Sequence, residues 1–280
     1  MVIGGAEDRL QDRVILRRFI ELSGGMEARI LVLGAASADP DASWLGYEPV
    51  FQELGATNCR PLFIRTQEDA NHPDIVNQIL SAGGIFMSGG DQRRLMGLLW
   101  ETEAARAMHT AFHLQGCCIG GTSAGAAVMS RLMLAEGSTP RLPEKDAASL
   151  DIGLGFVSGA IIDQHFSERR RLGRLLSVLA QRPDMLGIGI DEDTALVIER
   201  SRSIEVIGKG AVTLIDGRSM TSNIADIQAA ERLELLGVRL HLLPSGYRYS
   251  VIAAEQGARR MPASLLDAVE LLVAPGPLRG

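Results

Sequence analysis

A serine at the centre of a run of small residues, Gly120-Gly121-Thr122-Ser123-Ala124-Gly125-Ala126, is the first place in this sequence where chemistry is expected. Residues 121 to 125 read G-T-S-A-G and fit the G-x-S-x-G pattern. The run is entered from Cys117, Cys118 and Ile119 and left through Ala127, Val128 and Met129, which predicts a strand that turns sharply into a helix at the serine. Such an elbow holds the hydroxyl exposed on a strained backbone, and only small residues avoid clashes around it. A serine hydroxyl is a weak nucleophile near neutral pH and needs a base within hydrogen-bond reach. His165 is the candidate base: it follows the apolar Ala160, Ile161 and Ile162, so it is expected at a strand end on the same sheet edge as Ser123. His72, His109 and His113 fall on expected helices, and His241 lies in the C-terminal region. A tetrahedral oxyanion needs two preorganised N–H donors, expected here from Gly90 in the Gly89-Gly90 loop and from Ala124. Base, nucleophile and donor loops on one rim describe acyl transfer.

Arginines form the next cluster. Arg169, Arg170, Arg171 and Arg174 crowd the start of the helix expected after His165, where each cation opposes the helix dipole by about 0.3 to 1 kcal/mol. Two readings stand. The cluster is a solvated charged face, or Arg169, Arg171 or Arg174 binds substrate carboxylates in the bidentate manner of guanidinium.

Positioning these groups requires a scaffold, and the hydrophobic pattern supplies one. A first strand at 1 to 5 leads to a helix capped by Asp8, carrying Leu10, Val14, Phe19 and Leu22 and ending at Gly24-Gly25. Strands at 29 to 34, 60 to 64 and 84 to 87 alternate with helices at 44 to 54, 72 to 80, 93 to 100 and 102 to 115. This alternation predicts an α/β fold, an open and mostly parallel sheet with helices on both faces. Ligands bind such sheets at the C-terminal strand ends, where the glycine loops at 88 to 92 and 120 to 125 would both open. Residues 135 to 159 read as an irregular lid or binding loop. A strand at 160 to 162 precedes a helix capped by Ser167, with Leu172, Leu175, Leu176 and Leu179 on its buried face. After a strand at 186 to 190, runs at 194 to 198, 204 to 207 and 211 to 215 predict antiparallel hairpins. Strands near 237 to 243 and 247 to 253 and a helix at 262 to 273 complete the pattern. One domain is expected over 1 to 280, with a core to about residue 192 and a β-rich extension from 193.

Composition narrows the function. The chain has 280 residues, 46% hydrophobic and 22% charged, with a net charge of −6. That balance describes a globular protein and argues against a nucleic-acid partner. No apolar run approaches the ~18 residues of a membrane span. Three cysteines, two of them in the elbow strand, read as reduced thiols of a cytoplasmic protein. The chemistry calls for no metal and no cofactor.

Four blocks, GGAEDR at 4 to 9, SGGDQ at 88 to 92, GTSAGA at 121 to 126 and DQHFSERRRLGRL at 163 to 175, resemble the serine peptidase family that contains the cyanophycinases and the aspartyl dipeptidase E enzymes. The blocks span the first two thirds of the chain in the family's order. The resemblance implies a fold like the class I glutamine amidotransferases (flavodoxin-like) with serine in place of the cysteine nucleophile, and a homodimer. It implies hydrolysis of cyanophycin, a poly-aspartate bearing arginine on each β-carboxyl, to β-Asp-Arg dipeptides. Ser123 is then the nucleophile and His165 the base, while Gln92, Asp163, Gln164, Arg169, Arg171 and Arg174 match the family's substrate pocket. The family also orients its histidine with an acid in the loop after the elbow helix, which is short here. Glu136 is the expected acid, with Glu144 and Asp146 behind it. A dipeptidase acting on short Asp-X peptides is the alternative within the family. A non-catalytic binder that kept the elbow but lost the acid is the alternative outside enzymes.

Overall fold

Strands such as Ile30–Leu33 and Gly84–Met87 are short, apolar and buried along their whole length, which requires cover on both faces of a sheet. In the computed structural model, which describes residues 1–253 and 255–275, helices provide that cover. The chain runs β1 (Val2–Ile3), α1 (Val14–Leu22), β2 (Ile30–Leu33), α2 (Pro40–Glu53), β3 (Cys59–Leu62), α3 (Gln67–Ala70), α4 (Pro73–Leu80), β4 (Gly84–Met87), α5 (Gln92–Leu99), α6 (Glu103–Leu114), β5 (Cys118–Thr122) and α7 (Ala124–Ala127). Strands β1, β5, β4, β2 and β3 lie side by side and parallel. Four aromatic rings, Phe19, Tyr47, Phe51 and Phe86, pack on one face of this sheet, with Phe19 and Phe86 centroids 5.3 Å apart and edge to face. Each buried ring contributes about 1.5 to 3 kcal/mol by leaving water. Gly120 in β5 makes room for them, since an added Cβ would lie 2.7 Å from the Phe19 ring.

The remainder is richer in strand. It runs β6 (Leu132–Gly137), β7 (Ala148–Ile152), β8 (Ala160–Gln164), α8 (Leu172–Gln181), β9 (Leu186–Ile190), β10 (Thr194–Glu199), β11 (Ser203–Gly208), β12 (Ala211–Asp216), β13 (Thr221–Ser222), β14 (Leu235–Leu236), β15 (Arg239–Pro244), β16 (Tyr247–Ser250) and α9 (Ala263–Val273). Strands β10, β11 and β16 extend the first sheet antiparallel on the β1 side. The mixed α/β architecture with antiparallel strands in the last third is therefore the one expected.

Three local expectations change. Strand β8, which delivers His165, pairs with β9 in a second sheet of order β15-β12-β9-β8 and does not continue the first. Residues 135 to 159 are irregular only in part: β6 and β7 form an antiparallel hairpin with an irregularity between Leu134 and Glu136, and the segments 138 to 147 and 153 to 159 lie outside these strands. Asp8 caps a tight turn before α1, its carboxylate taking the amides of Leu10, Gln11, Asp12 and Arg13. Those bonds hold its carboxyl well below the usual carboxylate range. Leu10 consequently points to solvent, 86% exposed, and the helix starts at Val14.

Candidate active site

Strand β5 ends at Thr122, and Ser123 takes φ 52° and ψ −111° before α7 begins. A serine is held in this left-handed region only by its surroundings. Its amide donates to the Ile3 carbonyl at 3.1 Å, and its carbonyl accepts the Ala126 and Ala127 amides at 3.0 Å. Both glycines of the G-x-S-x-G pattern are required sterically: a Cβ on Gly121 would lie 2.1 Å from the Gly125 oxygen, and one on Gly125 would lie 2.4 Å from the Met87 oxygen.

His165 follows β8, also with positive φ (50°), and its amide donates to the Gly4 carbonyl at 2.8 Å. Its Nε2 lies 2.9 Å from Ser123 Oγ and its Nδ1 lies 2.6 Å from Glu192 Oε1. The imidazole is buried, whereas the Glu192 side chain is about a third exposed. Gly5, at φ 99°, passes directly against the ring, and a Cβ there would sit 2.3 Å from His165 Cε1.

The carboxylate on His165 is thus Glu192, which corrects the expectation placed on Glu136. Glu136 lies on β6, exposed, and pairs with Arg93 at 3.0 Å. Glu144 and Asp146 do not contact His165 either; the Glu144 amide is tied to Ser177 Oγ at 2.9 Å. Glu192 belongs to the Asp191-Glu192-Asp193 connection that leaves the second sheet for the first. Its backbone amide donates to Glu168 Oε2 at 3.2 Å. Asp191 takes the Ser167 hydroxyl at 2.6 Å, so Ser167 joins that loop and does not cap the helix. No signal in the sequence marks Glu192: it meets His165 because β8 pairs with β9 with Gln164 opposite Ile190, so residues just beyond those positions emerge together.

The glycine loop after β4 approaches from the other side. A Cβ on Gly89 would be 3.9 Å from Ser123 Oγ, and Gly90, at φ 146°, leaves no space for one beside the Ala36 oxygen. Among the described residues, the Gly90 and Ala124 amides donate to no other group. Gln92 Nε2 donates to the Leu134 and Ala135 carbonyls at 3.2 and 2.5 Å, tying the base of α5 to the β6–β7 hairpin.

The arginines divide. The left-handed backbones of His165 and Arg170 postpone α8 to Leu172, so Arg169, Arg170 and Arg171 precede the helix instead of occupying its first turn. Asp163 is fully buried and holds two of them: Arg174 Nε reaches Oδ2 at 3.0 Å and its Nη2 contacts Oδ1, while Arg171 Nη1 lies 3.2 Å from Oδ1. Arg171 Nη1 also donates to the Gln164 carbonyl at 2.5 Å. Burial, helped by the neighbouring guanidinium groups and opposed by Asp163, pulls Arg171 down to about 10. Arg171 and Arg174 are therefore a buried ion cluster and not a solvated face. Arg169 is exposed and makes no ion pair among the described residues. Gln164 Oε1 and Arg171 Nε are buried without a hydrogen-bond partner.

A strained serine at a strand-to-helix elbow, joined to a histidine that a carboxylate holds from behind, has the arrangement of a serine hydrolase site on an α/β fold. Comparison with known proteins agrees. Residues 1–206 match peptidase family S51. The cyanophycinase of Geminocystis herdmanii is 41% identical over 89% of this chain and 92% of its own length. Those of Synechococcus elongatus and Nostoc sp. are 38% and 39% identical, covering 90% and 89% of this chain and 78% and 84% of theirs. The crystal structure of a peptidase from an acI-B1 Actinobacterium shares the fold, with a TM-score of 0.64 at 21% identity, covering 89% of this chain and 94% of that one. The chain belongs to peptidase family S51. Among the described residues no cluster of His, Cys, Asp and Glu is arranged to hold a metal ion, and no helix is long and apolar enough to cross a membrane.

Proposed function

We propose that this peptidase hydrolyses cyanophycin to β-Asp-Arg dipeptides through an acyl-enzyme. The observation that carries the reading is the hydrogen-bonded chain Ser123–His165–Glu192 in a protein about 40% identical to cyanophycinases along most of its length. His165 Nε2 takes the Ser123 proton as Oγ bonds to the scissile carbonyl carbon. Glu192 accepts Nδ1–H, fixes the tautomer and stabilises the imidazolium. The Gly90 and Ala124 amides receive the oxyanion, and one such donor is worth about 10²- to 10³-fold in kcat. His165 then protonates the leaving amine as the C–N bond breaks, and water, deprotonated by the same imidazole, releases the acyl group.

The substrate assignment is supported by charge. Two arginines share the single carboxylate of Asp163, which leaves one positive charge in excess beside His165, with exposed Arg169 next to it. Such a site favours aspartate carboxylates. Gln92 and Gln164 would border the same pocket. We further read the chain as one domain and as a cytoplasmic homodimer. Its three unpaired cysteines suit a reducing compartment, and sedimentation of the purified protein checks the stoichiometry.

Purified protein and Ser123→Ala are incubated with insoluble cyanophycin and with Asp-X dipeptides. Soluble β-Asp-Arg from the wild type alone supports the assignment. Release by both proteins, or cleavage of dipeptides with no attack on polymer, overturns it.

A further inference from the structure

Residues 4 to 8 (GGAED) touch the elbow strand, the His165 loop and the 191–193 connection, yet none belongs to the hydrogen-bonded chain of Ser123, His165 and Glu192. The Gly4 and Gly5 carbonyls accept the His165 and Asp193 amides at 2.8 and 2.9 Å, and the Asp8 amide donates to Asp193 Oδ1 at 2.7 Å. The contact to the elbow is made by Glu7. Its Oε2 accepts from Thr122 Oγ1 and its Oε1 from the Tyr47 hydroxyl, each at 2.5 Å, within the range of charge-assisted O–H···O bonds. Thr122 is the residue immediately before Ser123.

Glu7 is 6% exposed and forms no ion pair among the described residues. A buried carboxyl group held by hydroxyl donors alone is a poor way to gain stability, because an apolar side chain of similar volume avoids its desolvation. What the group supplies is a fixed geometry. Tyr47 is packed 5.0 Å from the Phe86 ring on β4, so one end of the link is anchored in the aromatic core and the other at the elbow. Burial keeps the Tyr47 phenol far above its ordinary value, and it remains a donor.

We propose that Glu7 is a positioning residue: it fastens Thr122 to the aromatic core and thereby holds Ser123 in its strained conformation, with Oγ aimed at His165 Nε2. The inference rests on the reading of Ser123 as the nucleophile. A displacement near 1 Å costs about 10²-fold in rate, and releasing Thr122 removes the side-chain restraint next to the strained residue. The groups proposed to bind substrate are untouched, so the loss falls on kcat.

Thr122→Val, Thr122→Ser, Glu7→Gln and the Glu7→Gln/Thr122→Val double variant are compared with wild type. Steady-state cleavage of a soluble β-Asp-Arg oligomer, the rate of Ser123 labelling by a fluorophosphonate and thermal unfolding are measured for each. The expected result is a fall of roughly 10- to 100-fold in kcat and in labelling for Thr122→Val and Glu7→Gln, with KM within about twofold. Thr122→Ser stays near wild type, and the double variant is no worse than the worse single, as expected for one shared bond. Unchanged kcat and labelling in Thr122→Val, with only a lower melting temperature, overturns the proposal. A wild-type protein that the probe does not label instead refutes the reading of Ser123, and this inference with it.

Discussion

Replacing Glu192 by glutamine removes one charge from the site and keeps the side-chain volume. His165 Nδ1 and Glu192 Oε1 are 2.6 Å apart, so in the proposed mechanism the imidazolium of the transition state faces that carboxylate. Taking charge centres about 4 Å apart and an effective dielectric near 20, their attraction is about 4 kcal/mol. The Glu192 side chain is 36% exposed, so solvent and salt screen part of this, leaving about 2 to 3 kcal/mol. At about 1.4 kcal/mol per factor of ten, kcat should fall roughly 30- to 150-fold, with KM nearly unchanged because Glu192 lies behind the imidazole. The assay is release of soluble dipeptide from cyanophycin, run beside Glu136→Gln. Glu136 is in an exposed pair with Arg93, the kind of contact that contributes about 0 to 1 kcal/mol to stability, and its replacement should leave kcat within about twofold. Glu192→Gln at wild-type kcat, or an equal loss in Glu136→Gln, refutes the assignment.

Gly5→Ala should lower kcat by about 100-fold or more in a cooperatively folding protein, because the new Cβ would stand 2.3 Å from His165 Cε1; a fully active variant contradicts that approach. Asp163→Asn leaves Arg171 and Arg174 buried with no carboxylate and should cost about 3 to 5 kcal/mol in a denaturant titration. A loss below about 1 kcal/mol would show the cluster to be screened by water. Burial pushes the Cys59 and Cys117 thiols up to about 12. Both should resist thiol reagents at pH 8 until the protein unfolds. The unfolded chain gives up these protons first, so stability should fall as pH climbs from about 9 towards 12. Rapid native labelling, or stability flat across that range, counts against it.

The elbow is legible in the sequence because its constraint is local: the residues flanking Ser123 must be small within one turn, and composition records that directly. The alternation of apolar runs likewise reports the parallel strands. Glu192 is illegible for the opposite reason. Its approach to His165 depends on which strand pairs with β8 and in what register, and that is settled by packing between segments far apart in the chain. The arginines fall between these cases. Asp163 sits in a wholly buried strand, and a buried carboxylate requires cations or strong donors. Arg171 and Arg174, 8 and 11 residues on, are the cations it takes. The surplus of arginine over acid is visible in the sequence, but its burial is not.

The two sheets meet at the end of β1, and this explains why the site forms there. Strand β1 runs parallel to β5 on one side and antiparallel to β10 on the other, so the sheet changes sense in its interior, at β1. Connections from both halves of the sheet therefore come together beside β1. The elbow arrives from β5 and the acid loop arrives through β10, while His165 comes from the second sheet altogether. Where these segments converge there is room for backbone but not for a side chain. Gly4 and Gly5 supply that backbone: their carbonyls bind the His165 and Asp193 amides, and their missing side chains leave room for the Asp191 carbonyl and the imidazole. Residues 4 to 8 therefore act as the bracket on which serine, histidine and glutamate are assembled.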